Sequence, residues 1–162
     1  MDVDVVIAWV DGEDPKHQAK RADYLAPGAH PSIERVAAKA RRFRNNDEIR
    51  YCLRSIRNHA PWVRKIWLVT DNQHPGCLDV ELGKQYGVHI IDHKQIFHGF
   101  EGMLPTFNSL AIETMLWRIP ALAERFLYFN DDMFLVNPVT PQDFFTDGGL
   151  TILRGKWGDW SQ

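Results

Sequence analysis

Two adjacent carboxylates interrupt one of the most apolar runs in the sequence. Residues 126–135 read Phe-Leu-Tyr-Phe-Asn-Asp-Asp-Met-Phe-Leu, with Asp131 and Asp132 in the middle. Because an unpaired charge inside a buried strand is costly, we predict that a strand ends just before this pair, where a sheet opens into a ligand cleft. Two interpretations are open at this point. The pair binds a divalent cation and through it a phosphate, or one Asp caps a turn while the other pairs with an arginine.

Apolar runs of this kind recur along the chain and alternate with helical patterns. Four of them are typical of buried strands: 3–10, 65–70, 88–92 and 125–129. Helices are predicted between them, near 16–24, 46–58, 79–86 and 108–118, with Asn45 or Asn46 capping the second. A loop over 94–107 and a fifth strand over 150–153 complete the prediction. Such alternation indicates an α/β fold whose mostly parallel sheet is flanked by helices.

Polar residues follow each predicted strand at the point where the apolar run stops. They are Asp11, Asp71-Asn72, Asp92-His93 and Asp131-Asp132. Since the carboxyl ends of parallel strands form one edge of a sheet, we expect these groups to share one cleft. His93 could serve there as a base or be a structural histidine, which is the commoner role. The sequence contains neither a dinucleotide fingerprint nor a P-loop.

Composition favours a single globular domain. The chain has 162 residues, 44% of them apolar, and no apolar stretch is long enough to span a membrane, so we expect no integral membrane segment. The acidic start, with Asp2 and Asp4, does not resemble a secretory signal. Cys52 and Cys77 permit a disulfide without requiring one, and two cysteines alone cannot form a zinc site. The expected setting is the cytoplasm, either free or peripheral to the inner face of the membrane.

Positive charge is concentrated in one part of the chain. Residues 31–67 carry ten Lys or Arg against three acidic residues, although the net charge of the whole chain is −2. Such a block fits a ligand that bears phosphate, or simply a solvated helix face. The negative overall charge and the absence of a nucleic-acid-binding motif predict that nucleic acid is not a partner.

Five segments, taken in order, form a distinctive set: Val5-Val6-Ile7-Ala8-Trp9-Val10-Asp11-Gly12, Arg42-Phe43-Arg44-Asn45-Asn46-Asp47-Glu48-Ile49-Arg50-Tyr51, Ala60-Pro61-Trp62-Val63-Arg64-Lys65-Ile66, Leu104-Pro105-Thr106-Phe107-Asn108-Ser109 and Asn130-Asp131-Asp132. With this set the chain resembles the Stealth family of sugar-1-phosphate transferases, which includes capsular-polysaccharide phosphotransferases and an N-acetylglucosamine-1-phosphotransferase. Together the segments extend over roughly four fifths of the chain. The later signature segments of the family, one of which contains a histidine, are not found. The resemblance therefore implies one domain over 1–162, shortened at its C-terminal end relative to the family.

The resemblance implies a glycosyltransferase-A-like (Rossmann-like) fold and an enzyme of exopolysaccharide synthesis. The implied reaction moves a hexose-1-phosphate, with N-acetylglucosamine-1-phosphate as the expected group, from a UDP-sugar to a sugar hydroxyl of a glycan or capsular polysaccharide. UMP would be released. Two alternatives are open: a glycosyltransferase that releases UDP, and a fragment that binds a nucleotide sugar without turnover.

The site residues follow from the acidic pair and from the resemblance together. Asp131 and Asp132 are expected to be catalytic and to hold Mg²⁺ or Mn²⁺, since hard cations prefer oxygen ligands, with Asp132 nearer the reaction centre. The expected donor-binding residues are Asp11, Gly12, Arg44, Asn46, Asp47, Arg50, Thr106, Asn108, Ser109 and Asn130. For Arg50 the alternative is an ion pair with Asp47 or Glu48. For residues 46–48 and 106–109 the alternative is an ordinary capped helix start.

Overall fold

Four parallel strands form the centre of the protein. The computed structural model describes residues 1–25 and 45–155. The strands are β1 (Val3–Ala8), β2 (Ile66–Thr70), β3 (Val88–Asp92) and β4 (Arg125–Asn130). Their order in the sheet is β3-β2-β1-β4, and all three pairings are parallel. The predicted α/β fold with a parallel, Rossmann-like sheet is therefore confirmed.

Helices connect the strands and lie beside the sheet. They are α1 (Pro15–Tyr24), α2 (Glu48–His59), α3 (Val80–Gln85), α4 (His93–Ile96) and α5 (Ser109–Glu113). Single 3₁₀ turns occur at Glu101–Met103, Leu116–Arg118 and Pro141–Asp143. Among the described residues, no helix combines the length and apolarity that crossing a membrane requires.

Alternate side chains of each strand enter two separate apolar layers, as the period of two in a strand requires. On one face, Val5 and Ile7 of β1 pack against the apolar stripe of α2, which includes Ile49 and Ile56. On the other face, Val6 of β1 packs with a cluster contributed by the segment from α4 to Ile119, including Ile96, Phe97, Leu116 and Ile119. Because both faces are covered, the strands are apolar on both sides, which explains their near-continuous apolar runs.

One carboxylate is fully buried at the amino end of the sheet. Asp4 has no exposed surface and accepts hydrogen bonds from Arg64 Nε (2.9 Å), Arg64 Nη2 (2.7 Å) and Trp67 Nε1 (2.8 Å). The backbone N–H groups of Lys65 and Ala123 also donate to it, at 3.2 and 2.9 Å. Asp4 thus joins β1, the start of β2 and the segment before β4. The sequence by itself shows Asp4 only as part of an acidic N-terminal segment.

The structure corrects the predicted N-cap of α2. The cap is Asp47, in the left-handed conformation with φ of 64° and without a side-chain cap hydrogen bond, rather than Asn45 or Asn46. Asn46 instead donates its backbone N–H and its side-chain amide to the Glu48 carboxylate, and Asn45 Oδ1 accepts from the Asp47 N–H, which precedes the helix.

Three further corrections concern the ends and interruptions of elements. The predicted loop over 94–107 contains α4, which has a capping box formed by Asp92 and Gln95. The helix predicted over 108–118 ends at Glu113, and the 3₁₀ turn Leu116–Arg118 that follows brings Leu116 into the core. The predicted fifth strand is wrong for the described residues, since 150–153 forms only an isolated antiparallel bridge between Phe145 and Thr151. Leu150 and Leu153 are exposed there, so no apolar layer holds a strand in place.

Candidate functional site

A cleft of about 560 Å³ opens along the carboxyl edge of the sheet. Every strand contributes to it through its last residue or the residues that follow. The lining residues from the strands are Ala8, Trp9, Val10, Asp71, His93, Tyr128, Asn130, Asp131 and Asp132. The helices and loops above the edge add Asn46, Glu48, His17, Thr106, Phe107, Ser109 and Ile112. The cleft is therefore where the parallel topology predicts a ligand site.

Asp131 and Asp132 occupy a tight turn at one end of the cleft. Asn130 closes β4, and its carbonyl accepts a hydrogen bond from the Met133 N–H at 3.1 Å. Asp131 is partly buried, whereas the side chain of Asp132 is exposed. We call residues 130–133 the acidic turn. The alternative in which one of these carboxylates pairs with an arginine has no support among the described residues, since none of the ion pairs there includes Asp131 or Asp132.

The electrostatics of the acidic turn favour a bound cation. Burial, the neighbouring charge of Asp132 and the charge of Glu48 raise the pKa of Asp131 to about 6, although backbone N–H groups of the turn partly oppose this rise. Burial also raises the pKa of the nearby Cys52 thiol to about 12, and the charges of Asp131 and Asp132 add to that shift. In both cases burial is the main cause, and the like charge of neighbouring carboxylates adds to it.

The start of α2 brings a third carboxylate to the cleft. Glu48 lines it together with Asn46, whose N–H and side-chain amide hold the Glu48 carboxylate at 2.6 and 2.7 Å. The sequence leaves residues 46–48 open between donor contact and an ordinary helix start, without distinguishing Glu48 within that segment. Its place in the first turn of a predicted helix was the available signal, but an acid at that position is also an ordinary feature of helices.

Other predicted residues near α2 lie outside the cleft lining. Asp47 and Arg50 form an exposed ion pair at 3.3 Å, which is one of the two pairings left open for Arg50. Neither residue lines the cleft. Arg44 lies outside the described residues.

Asp11 and Gly12 take part in a local network rather than in the cleft lining. The Asp11 N–H donates to Gln73 Oε1 at 3.0 Å, and Gln73 Nε2 donates back to the Asp11 carbonyl at 2.8 Å. The Asp11 carboxylate accepts from the Glu13 N–H, and the Gly12 carbonyl accepts from Gln18 Nε2. This network joins the loop after β1 to the loop after β2, next to Trp9 and Val10, which line the cleft.

The segment 106–109 forms part of the opposite wall. Thr106 and Ser109 line the cleft, whereas Asn108 caps α5 by accepting a hydrogen bond from the Leu110 N–H at 3.0 Å. Phe107 packs edge-on against two rings of α1, with centroids 5.4 Å from His17 and 5.2 Å from Tyr24. The capped helix start is thus present at Asn108, while donor contact by Thr106 and Ser109, which border the cleft, stays a prediction.

The end of the cleft away from the acidic turn contains two buried histidines and one ion pair. His17 is 4% exposed and His93 is 6% exposed. Burial lowers the pKa of both, only partly offset by the Asp71 carboxylate. Asp71 itself pairs with Lys20 at 2.8 Å. Asp71 and His93 fulfil the expectation of one shared cleft, whereas Asn72 and Asp92 do not line it. His17 was missed because nothing in the sequence connects α1 to the strand ends.

Comparison with known proteins agrees with the resemblance stated from the sequence. Residues 1–26 match the model of Stealth protein conserved region 1, and residues 42–152 match that of conserved region 2. An exopolysaccharide phosphotransferase of Streptomyces coelicolor is 47% identical over 92% of this chain and 24% of its own length. One from Lactiplantibacillus plantarum is 46% identical over 92% and 41%, and a receptor polysaccharide phosphotransferase of Streptococcus oralis is 40% identical over 91% and 42%. The chain thus spans less than half the length of each of these relatives.

Proposed function

This chain belongs to the Stealth family, and from that membership we propose that it transfers a hexose-1-phosphate from a UDP-sugar to a sugar hydroxyl of a polysaccharide, releasing UMP. The observation that carries the proposal is the acidic turn, which stands unpaired among the described residues at one end of a cleft along the sheet edge. Relatives named polysaccharide phosphotransferases support the reaction class. N-acetylglucosamine-1-phosphate is the transferred group that we propose to test first.

The dimensions of the cleft suggest how an extended donor would lie. Three strand spacings of about 4.8 Å separate the end of β3 from the end of β4, so the cleft is about 14 Å across. We place the diphosphate at the acidic turn and the nucleoside toward His17 and His93. Neutral imidazoles and the ring of Phe107 suit a flat, uncharged base, whereas the acidic turn requires a cation to accept phosphate.

The residues of the acidic turn fit a divalent cation. Asp131 and Asp132 offer hard oxygen ligands, and burial together with the charge of Asp132 raises the pKa of Asp131, so a cation would stabilise its ionised form. Within the described ranges, no cluster of three or more His, Cys, Asp or Glu residues could hold a metal. A pair of carboxylates suits Mg²⁺ or Mn²⁺, because such ions are commonly held by one or two carboxylates together with substrate phosphates and water. When bound, the cation would neutralise charge on the diphosphate.

The side chains around the acidic turn would mainly position the reactants. Phosphoryl transfer depends on an in-line arrangement of the attacking and leaving oxygens and on charge stabilisation more than on covalent chemistry by the protein. Asn130, exposed at the end of β4, can donate its amide to a sugar or phosphate oxygen. Thr106 and Ser109 can donate hydroxyl hydrogen bonds from the opposite wall. Asp11, Gly12, Asp47, Arg50 and Asn108, which do not line the cleft, would act on the donor only indirectly.

The experiment that tests the proposal identifies the nucleotide product. The chain is incubated with UDP-N-acetylglucosamine, Mn²⁺ and a polysaccharide acceptor, and the nucleotides are separated chromatographically. Release of UMP, coupled to a phosphodiester in the glycan, is the expected result. Release of UDP would instead identify a glycosyltransferase. Donor binding without any product in this chain and in a longer relative would indicate a binding module and contradict the proposal.

A further inference from the structure

Helix α2 and Trp62, which lies just past its end, contact the segment 130–139 at four successive points. The Cys52 thiol lies 3.8 Å from the Asn130 carbonyl, and the Leu135 N–H donates to Ser55 Oγ at 3.1 Å. Further along, the Val139 N–H donates to the His59 carbonyl at 2.9 Å, and Trp62 Nε1 donates to the Val139 carbonyl at 2.7 Å. These contacts follow one stripe of the helix and continue just past its end, so the segment 130–139 is aligned along α2.

Ser55 is the member of this stripe that both donates and accepts. Its hydroxyl donates to the Cys52 carbonyl one turn earlier in α2, at 2.8 Å. With the hydrogen directed back along the helix, a lone pair of Oγ is left for the Leu135 N–H. The rigid backbone of α2 thereby fixes the direction of an amide three residues after Asp132.

Cys52 holds the other side of the acidic turn. The thiol is fully buried and its pKa is raised to about 12, so it stays protonated and can donate to the Asn130 carbonyl. The same carbonyl also accepts the Met133 N–H that closes the turn. The two carboxylates are therefore bracketed by Asn130 on one side and Leu135 on the other, each bonded to α2.

Packing alone does not account for the conformation of the acidic turn. Asp132 is exposed, and Met133 and Phe134 are 46% and 44% exposed. Apolar contact with the core resumes only at Leu135, which packs partly buried against the α2 layer. Between Phe129 and Leu135, hydrogen bonds are thus the main fixed contacts of the backbone with its surroundings.

We infer that Ser55 is a positioning residue, which fixes the direction of the Asp131 and Asp132 carboxylates through the Leu135 amide. Ser55 does not line the cleft and would not touch a substrate. The consequence for cation binding rests on the proposed function, whereas the effect on the turn itself does not. Supporting residues of this kind commonly change metal affinity by an order of magnitude or more, although they bind no metal.

The test compares three variants of the 162-residue chain. Ser55→Ala removes the hydroxyl at a helical position where alanine is favourable, so folding should be retained. Ser55→Thr keeps the hydroxyl and should rescue the effect. Thr114→Ala is the matched control, because Thr114 Oγ1 makes the same bond to a carbonyl three residues earlier, at 2.8 Å, but receives no amide hydrogen bond from any residue in 1–25 or 45–155. Amide hydrogen exchange at Leu135 and Mn²⁺ affinity from electron paramagnetic resonance are measured on each.

In Ser55→Ala we expect Leu135 exchange at least about tenfold faster and Mn²⁺ affinity about tenfold weaker, with both near wild type in the other two variants. Unchanged Leu135 exchange in Ser55→Ala overturns the inference. Faster exchange with unchanged Mn²⁺ affinity also overturns it, because the bond would then be merely structural. A wild-type chain that binds no Mn²⁺ contradicts the cation in the proposed function. The carboxyl NMR signals of Asp131 and Asp132 then decide the role of Ser55: their shift in Ser55→Ala supports it, and unchanged signals overturn it.

Discussion

Each end of the sheet carries a buried or partly buried aspartate, and the surroundings shift the pKa values of the two carboxylates in opposite directions. At the amino end, burial alone would raise the pKa of Asp4, but hydrogen bonds from Arg64, Trp67 and Ala123 outweigh burial and hold that pKa below its usual range. At the carboxyl end, burial and the charge of Asp132 raise the pKa of Asp131 to about 6. One carboxylate is surrounded by donors from its own protein, and the other stands beside a second carboxylate.

This difference separates a structural charge from a functional one. A buried ion with all its hydrogen bonds satisfied ties elements together and gains nothing from a ligand. When its surroundings raise the pKa of a carboxylate, its ionised form is destabilised, which lowers the stability of the fold. A bound cation would stabilise that ionised form. Both residues are aspartates in apolar surroundings, so the residue type by itself does not distinguish them.

The largest expected effect is the loss of transfer in Asp132→Asn. Because the amide would bind a cation far more weakly than the carboxylate, UMP release should fall about a thousandfold, equivalent to about 4 kcal/mol of transition-state stabilisation. The control is Asp147→Asn, which makes the same change at an exposed turn outside the cleft. Full activity of Asp132→Asn would remove the acidic turn from the reaction.

The next effect concerns stability at the amino end. Asp4→Asn places an amide against the Arg64 and Trp67 donors, and breaking a buried pair of this kind costs about 3 kcal/mol. Urea denaturation should show that decrease in the free energy of unfolding. A decrease no larger than that of Asp147→Asn would mean that the network around Asp4 is not a structural tie.

The same substitution at the other end should have the opposite sign. Asp131→Asn removes a partly buried charge that is repelled by Asp132, so we expect the free energy of unfolding to rise by about 1 kcal/mol in the absence of metal. Denaturation of Asp131→Asn and Asp4→Asn in parallel, in a chelating buffer, measures the contrast directly. A clear loss of stability in Asp131→Asn would show that its carboxylate is also structural.

The smallest effect is a dependence of stability on pH from the far end of the cleft. Burial lowers the pKa of His93 and of His17 from 6.5. For His93, the charges of Asp71 and Asp92 partly oppose this decrease, and the charge of Lys20 adds to it. Above pH 6.5 both histidines are neutral in the folded and unfolded states. As the pH falls below 6.5, the unfolded state takes up protons first, so stability decreases.

Urea denaturation at intervals between pH 8 and pH 5, with NMR titration of the imidazole signals, measures this dependence. The measurement uses Asp131→Asn, because protonation of Asp131 near pH 6 in the folded state would stabilise the fold and oppose the histidine effect. In that variant we expect stability to decrease from near pH 6.5, while the folded-state imidazoles titrate at lower pH. A free energy of unfolding that stays constant over that interval in Asp131→Asn would contradict the effect of burial on the histidines.

The sheet and its functional edge could be predicted from the sequence because the signals are local. Each strand is a short apolar run, and each ends at a polar residue that parallel topology then brings to one edge, as for Asp71 and Asp131. The prediction of a fifth strand at 150–153, which was wrong, relied on apolar residues without a partner layer. Leu153 is 91% exposed, so its apolar character served no core.

The remaining features depend on residues far apart in the sequence. The partners of Asp4 lie about sixty residues away at Arg64 and Trp67, and the Leu135 amide is eighty residues from Ser55. Helical periodicity identifies the buried face of α2, but it does not reveal which amide Ser55 would meet. Glu48 lines the cleft, whereas its neighbour Asp47 does not. The conformation of the turn before α2 determines which of the two residues borders the cleft, and the sequence does not reveal that conformation.

The buried thiol of α2 can be used to detect local opening of the protein around the acidic turn. Cys52 is inaccessible and protonated, whereas Cys77 is partly exposed and both are free. A thiol reagent should therefore modify Cys77 rapidly and Cys52 only when α2 separates from the end of β4. The rate of the slow labelling phase would measure how often α2 separates from the end of β4 in the natural sequence, with no probe introduced.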